Sequence, residues 1–260
     1  MAHLSPFQVG STSKIIRIQP GVVLKCPHQF ISQELNDSAA TSFANERQIF
    51  EILGKHPRIV TYLGWQDKPE LPSGLLLAEA HHGDLQTYLD ERTDTISFPL
   101  RKKWYRQVIE AIAYIHHQGV IHSDLRPENF LVTGTSIDIC LCDFGGSACQ
   151  KLGLNGINLP DSGFFNPNLE LVPSNAMDLF SMASVLYTIL IGHWPYRQPG
   201  GRFELGEEMM EYSQMVDDLF QRCEFPDVAS LWGGNIIIKC WMNEYADIDH
   251  VLRDLAMLDG

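Results

Sequence analysis

The sequence predicts an α+β fold, with strand-like apolar runs in a first, smaller part of the chain and mainly helical spacing in a larger part after it. Three observations lead there. Before residue 80 the apolar residues fall in short runs, Val22-Val23-Leu24 and Leu75-Leu76-Leu77-Ala78, bounded by Pro, Gly and charged residues as buried strands are. After residue 84 they recur at helical spacing over longer stretches, most clearly Trp104, Val108, Ile112 and Ile115. Within that larger part, two short apolar runs flank the turn-forming Thr133-Gly134-Thr135-Ser136, so Leu131 to Cys142 reads as a β-hairpin.

Taken in order, Phe7 to Arg17 sets small residues around Gly10 between strand-like runs, where backbone N–H groups can approach an anion closely. Pro20-Gly21 turns the chain into the strand Val22-Val23-Leu24-Lys25. From Thr41 to Leu53, Phe43, Ile49, Phe50, Ile52 and Leu53 fall near helical spacing, giving the helix of the small part. Asp84 stands where it caps a short helix over residues 85–89. Leu100 to His117 is a longer helix, ended by Gly119. Gly145 to Glu170, rich in Gly, Asn, Pro and Ser, is a loop; Asp178 to Tyr187 opens a buried helix. Pro199-Gly200-Gly201 is a turn before an acidic amphipathic stretch, Phe203 to Phe220, whose Met209, Met210 and Met215 either pack as core, the commoner case, or dock a partner. Ile236 to Asn243 reads as a late helix.

The chemistry concentrates around the hairpin. A hairpin returns the chain on itself, so Asp124, Asn129 and Asp143 converge at one end of it. Two carboxylates and an amide oxygen suit Mg²⁺, which takes a few protein oxygens and keeps nucleotide phosphates as its other ligands. In that division Asn129 and Asp143 hold metal, and Asp124 accepts the proton of an attacking hydroxyl. The competing reading is that each Asp merely caps a helix or turn.

Ile121-His122-Ser123-Asp124-Leu125-Arg126-Pro127-Glu128-Asn129, followed by Asp143-Phe144-Gly145, resembles the H-R-D-x-x-x-x-N loop and D-F-G of eukaryotic protein kinases. The resemblance runs from about residue 7 to 255 with most landmarks in order. Val22-Val23-Leu24-Lys25 resembles the V-A-I-K strand, and Glu46 matches the helix Glu that orients its Lys. His56-Pro57-Arg58-Ile59-Val60 resembles H-P-N-I-V, Asp178 to Tyr187 resembles D-x-W-S-x-G-x-x-L-Y, and Lys239-Cys240-Trp241 closes a helix in the family manner. Asn168-Leu169-Glu170 stands where the family has A-P-E.

The resemblance implies one domain over residues 1–260 with the two-lobed protein kinase fold: N-lobe 7–78, hinge 79–82, C-lobe 83–260, nucleotide between the lobes. It implies transfer of the γ-phosphoryl group of ATP, with Mg²⁺, to Ser or Thr hydroxyls of a protein substrate, Pro127-Glu128 favouring the Ser/Thr type over the Tyr type. Asp124 would be the catalytic base, with Lys25, Glu46 and Arg126 completing the catalytic set and Asn129 and Asp143 holding metal. The nucleotide would meet Gly10, Ile15, Val23, Lys25 and Leu131; the backbone of Glu79 and His81 would bond adenine, with the small Ala78 leaving a roomy rear wall. Asp178 would anchor the catalytic-loop backbone, and His122 would pack and hydrogen-bond.

The departures are specific. Ser123 replaces the Arg that receives a phosphate from the activation loop, which makes this a non-RD sequence and argues against that switch. Gln8 and Ser13 stand at the first and third glycines of the nucleotide-covering loop, with Gly10 at the second. Ile248 replaces the Arg that pairs with the A-P-E Glu, so Glu170 is either exposed or served by another base. These departures support a second reading, a pseudokinase acting as a nucleotide-binding or scaffold module; a small-molecule phosphotransferase sharing the H-x-D-x-x-x-x-N loop is a third.

Composition bounds the rest. The 260 residues are 45% hydrophobic and 20% charged, ordinary for a globular chain. Thirty-two acidic against 19 basic residues, net −13, discourage binding to nucleic acid or anionic membrane. Six cysteines without C-x-x-C spacing read as reduced thiols. The first residues lack a basic stretch followed by an apolar one, so no signal peptide is expected, and the apolar run Leu179 to Ile191 is too short to cross a bilayer. The expected state is a monomer in the cytoplasm, with the nucleus as the alternative.

Overall fold

The computed structural model describes residues 8–9, 13–156, 158–198, 201, 203 and 205–258. The N-terminal part is a five-stranded antiparallel sheet in the order β1-β2-β3-β5-β4, formed by β1 (Gln8–Val9), β2 (Ser13–Gln19), β3 (Val22–Pro27), β4 (Tyr62–Gln66) and β5 (Gly74–Ala78). Gly21, at φ 80°, makes the β2–β3 turn that a side chain would strain. Helix α1 (Gln33–Leu53) lies between β3 and β4 in sequence and buries Phe43, Glu46, Ile49, Phe50 and Leu53. It starts eight residues before the periodic stretch from Thr41. Ser32 caps it, and residues 33–38, largely exposed and polar apart from Leu35, extend it without an apolar stripe to mark them.

The C-terminal part is built on α2 (Leu85–Arg92), α3 (Phe98–Gln118), a small three-stranded sheet of β6 (Val120–Ile121), β9 (Ala148–Cys149) and β10 (Leu154–Asn155), and the hairpin β7 (Phe130–Thr133) with β8 (Asp138–Leu141). Helices α4 (Asn175–Ile191), α5 (Gly206–Gln221), α6 (Gly234–Trp241) and α7 (Ile248–Met257) complete it. The hairpin is where the turn residues place it, and Gly119 ends α3 at φ 79°. Trp104, Val108, Ile112 and Ile115 are fully buried along α3. Asp84 caps α2, its carboxylate accepting from the Thr87 N–H at 2.8 Å. The fold is thus α+β, a sheet-rich N-terminal part against a helical C-terminal one.

The main apolar core is continuous across both parts: it joins Val23, Phe50 and Leu75 to Trp104, Phe144, Leu186 and Trp241. A second, small cluster of Ile16, Leu24 and Cys26, with Leu76 against it, lies on the other face of the five-stranded sheet. On α5 the inward residues are Tyr212, Val216 and Phe220, whereas Met209, Met210 and Met215 face solvent, so the methionines are not core. All six cysteines are unpaired. Among the described residues no helix is long and apolar enough to cross a membrane.

Candidate active site

The cleft between the two parts is built around one ion triad. In β3 the residues alternate, so Val23 and Lys25 share the face toward the cleft. On α1, Glu46 falls three residues after Phe43 and three before Ile49, the single charge in an apolar stripe, which turns its carboxylate inward at 1% exposure. Lys25 Nζ donates to both Glu46 oxygens, at 2.9 and 2.8 Å, and to Asp143 Oδ1 at 2.7 Å. Burial alone would drive the proton off Lys25, but the carboxylates of Asp143 and Glu46 outweigh it and hold the ammonium above the ordinary lysine range. The same ammonium pulls Asp143 below the usual carboxylate range.

The catalytic loop is pinned from beneath. Asp178, fully buried on α4, accepts from the N–H groups of His122 at 2.8 Å and Ser123 at 2.9 Å, and its Oδ2 meets His116 Nε2 at 2.9 Å. These bonds sustain a left-handed backbone at Ser123, φ 69°, which a non-glycine residue adopts only under constraint. His122 is structural: its Nε2 meets the Cys142 carbonyl at 2.9 Å and its Nδ1 accepts from the Asp124 N–H at 3.3 Å. Asn129 Nδ2 donates to the Asp124 carbonyl at 2.6 Å, and the Asn129 carbonyl accepts from the Cys142 N–H at 2.9 Å. The hairpin therefore carries Asn129 and Asp143 to the cavity that Lys25 and Glu46 also line. Asp124 lies outward of them with Arg126 Nε 3.9 Å from its Oδ1. Burial pushes the Asp124 carboxyl up to about 7; Arg126 pulls it down, while the negative charges of Asp143 and Asp161 add to the rise.

The apolar walls come from Ile15 and Val23 on one side and Leu131 on the other, with Val60, Leu77, Ala78, Glu79, Ala80 and Cys142 between them. Gly10 lies outside the described residues. At the hinge the structure corrects the expected register. Leu75 and Leu77 face the main core while Leu76 faces the small cluster, so the bulky Leu77, 5% exposed, lines the cavity beside Ala78 and narrows the wall expected of the small Ala78. The β3–β5 ladder continues one step further than expected: the Glu79 N–H is taken by the Gly21 carbonyl at 3.0 Å, which leaves the Glu79 carbonyl as the backbone group open to the cavity. The Glu79 carboxylate pairs with Arg17 and accepts from the Gly21 N–H at 3.1 Å. His81 is exposed and off the cavity wall; Ala80 takes its place there.

The segment from Gly145 to Glu170 is anchored at several points. Ser147 Oγ donates to the His122 carbonyl at 2.9 Å, and Ser162 Oγ to Asp217 Oδ2 at 2.9 Å. Glu170 is exposed, which answers the absence of a basic partner at Ile248, itself 3% exposed. Two residues upstream of it, Asn168 Nδ2 donates to the Phe220 carbonyl at 3.1 Å and ties this segment to the end of α5. Sequence reasoning also passed over Arg17 and Asp161, the latter pairing with Arg126. An acidic residue in a Gly- and Pro-rich loop carries no periodicity that would single it out.

Comparison with known proteins agrees with this geometry. The protein kinase domain family model matches residues 21–246. The serine/threonine-protein kinase ssp1 of Schizosaccharomyces pombe is 26% identical over 176 residues, 61% of this chain and 27% of that protein. The serine/threonine-protein kinase US3 of human herpesvirus 1 is 37% identical over 122 residues, 46% of this chain and 24% of that protein. The serine/threonine-protein kinase pkpA of Phycomyces blakesleeanus is 26% identical over 203 residues, 72% of this chain and 33% of that protein. The aligned chain thus spans a third or less of the length of these relatives. With that match over most of its length and the ion triad in its cleft, the chain belongs to the protein kinase domain family.

Proposed function

We propose that the chain is a catalytically competent protein kinase that moves the γ-phosphoryl group of ATP, with Mg²⁺, to Ser or Thr hydroxyls of a protein substrate. The observation that carries this reading is the grip of Glu46 and Asp143 on Lys25. Buried ion clusters are poor sources of stability, since apolar residues of like volume often serve as well or better. Three such charges gathered on a cleft wall therefore point to use, and an anchored ammonium beside an acidic metal-type ligand suits a bound polyphosphate.

The donors fit Mg–ATP. Asn129 spends its amide N–H on the Asp124 carbonyl, which leaves its side-chain oxygen for a cation. Asp143 gives one oxygen to Lys25 and is 49% exposed, so its second oxygen is open to the cleft. Two protein oxygens leave an octahedral cation most of its positions for phosphate and water. Among the described residues, no cluster of three or more His, Cys, Asp or Glu could hold a metal unaided. Bound Mg–ATP would supply the transferable phosphoryl group. Lys25 would hold its phosphates, Ile15, Val23 and Leu131 would enclose the base, and Asp124 would accept the acceptor hydroxyl's proton, a task for which a pKa near 7 is well placed. Arg126 would meet the negative charge of the group in transit.

The non-RD character belongs to the same proposal. Ser123 is fully buried with its N–H on Asp178, so it offers nothing to a phosphate, and turnover would survive phosphatase treatment. A second reading, a nucleotide-binding scaffold, rests on Gln8 and Ser13 at glycine positions of the covering loop. Incubation with radiolabelled Mg–ATP and a basic acceptor protein, alongside Lys25→Met and Asp143→Ala, separates the two. Label in the wild type alone supports transfer, label in all three removes the proposed site, and nucleotide affinity without label favours the scaffold. A monomer acting in the cytoplasm completes the proposal.

A further inference from the structure

We propose that Asp161 is a positioning residue of this site: it clamps the segment 145–170 onto the catalytic loop through Arg126, and so does without phosphate what a phosphorylated segment residue would do. The proposal rests on the kinase reading above. Arg126 Nη1 donates to Asp161 Oδ2 at 2.5 Å while its Nε lies 3.9 Å from Asp124 Oδ1. The guanidinium therefore sits between the carboxylate of the catalytic loop and that of the segment. Its Nε is buried and makes no hydrogen bond among the described residues. A guanidinium is a rigid fork, so fixing one arm on Asp161 aims the remaining donors, and the unused Nε–H is left for an anionic group arriving beside Asp124.

Asp161 stands on a built platform. Its carbonyl accepts from the Phe164 N–H at 2.9 Å, closing a turn. Gly163, at φ 89°, passes so close to Tyr212 that a Cβ would lie 2.4 Å from its hydroxyl, which requires glycine there. Phe164 is fully buried, edge-on to Trp194 with ring centroids 5.2 Å apart, and its carbonyl accepts from Ser181 Oγ at 2.6 Å. The turn is thus riveted to α4 and α5, and it carries Asp161, with 58% of its side chain exposed, out to the rim where Arg126 lies. An ion pair at such exposure contributes little to stability, so its position matters more than its strength.

The test uses the whole chain and four proteins: wild type, Asp161→Asn, Asp161→Glu and Ser162→Ala. Ser162→Ala removes a neighbouring tether of the same turn and leaves Arg126 untouched. With Mg–ATP and a histone fraction as acceptor, Asp161→Asn should lower kcat by about tenfold with KM for Mg–ATP unchanged, because a misaimed cation acts on the transition state more than on binding. Asp161→Glu should recover most of the loss, Ser162→Ala should stay within about twofold of wild type, and phosphatase treatment of the wild type should change nothing. Amide exchange over residues 158–166 should quicken several-fold in Asp161→Asn only. Wild-type kcat and exchange in Asp161→Asn, an equal loss in Ser162→Ala, or a kcat that falls after phosphatase treatment would each overturn the clamp. If the wild type transfers no phosphate at all, the kinase reading fails, and the exchange comparison still decides the clamp.

Discussion

The two ends of the cleft are fastened by different chemistry. At the catalytic end, a carboxylate with no exposure, Asp178, holds consecutive backbone N–H groups and a histidine, and water cannot substitute for it. At the hinge end, Arg17, half exposed, reaches Glu79, and backbone bonds from Gly21 share the load. A wholly buried acceptor and donors dictate geometry because every alternative leaves groups unsatisfied, whereas the exposed partner of an ion pair is screened by salt and can turn to solvent. The backbone at His122 and Ser123 thus hangs on a wholly buried acceptor, while at the hinge the buried acceptor, Glu79, has a charged partner half in solvent.

Substitutions at either end separate the two kinds of attachment. Asp178→Ala should have the largest effect, since it strands two backbone donors in the core: a loss of at least about 3 kcal/mol in urea unfolding, with no phosphate transfer at any temperature. Leu77→Ala should cost about 2–4 kcal/mol as a core truncation. It should also admit adenine nucleotides with bulky N6 substituents that the wild type excludes, as a competition assay would show; wild-type acceptance of them would return the rear wall to Ala78. Gly74→Ala places a Cβ 2.2 Å from the Lys25 carbonyl oxygen. The strand must shift, at about 1–3 kcal/mol, and KM for Mg–ATP should rise as Lys25 moves. Arg17→Ala should give the smallest change, because the Gly21 N–H still serves the Glu79 carboxylate, and it should shrink in concentrated salt. Its hydrogen bond from Arg17 holds the Glu79 carboxyl below its usual range, so the stabilisation is present above the unfolded carboxylate pKa of about 4.3 and fades as pH falls through the lower folded value. The variant should therefore lose stability on acidification less steeply than the wild type.

Most of the catalytic end was legible because its residues sit in patterns with a physical period or a turn. Lys25 follows a strand, Glu46 interrupts an apolar stripe, and Thr133-Gly134-Thr135-Ser136 folds Asn129 and Asp143 together. The hinge was misread because Leu75-Leu76-Leu77-Ala78 is apolar throughout, so the sequence does not reveal which residues face the cleft; only pairing with β3 fixes that phase. Strands β6, β9 and β10 are two residues each, too short for any periodicity. Helix α7 carries a legible signal of its own: Asp247 caps it, and Ile248, Val251 and Leu255 follow at helical spacing. Ile248, which stands where the family has an arginine, is the first residue of that helix.

Phe144 meets the ring of Phe50 on α1 with centroids 5.3 Å apart and that of His122 with centroids 5.1 Å apart, inside the apolar core that both parts share. Neither part can lose its interior without exposing the other's. Heating should therefore melt sheet and helices together, as one calorimetric peak whose van't Hoff and measured enthalpies coincide.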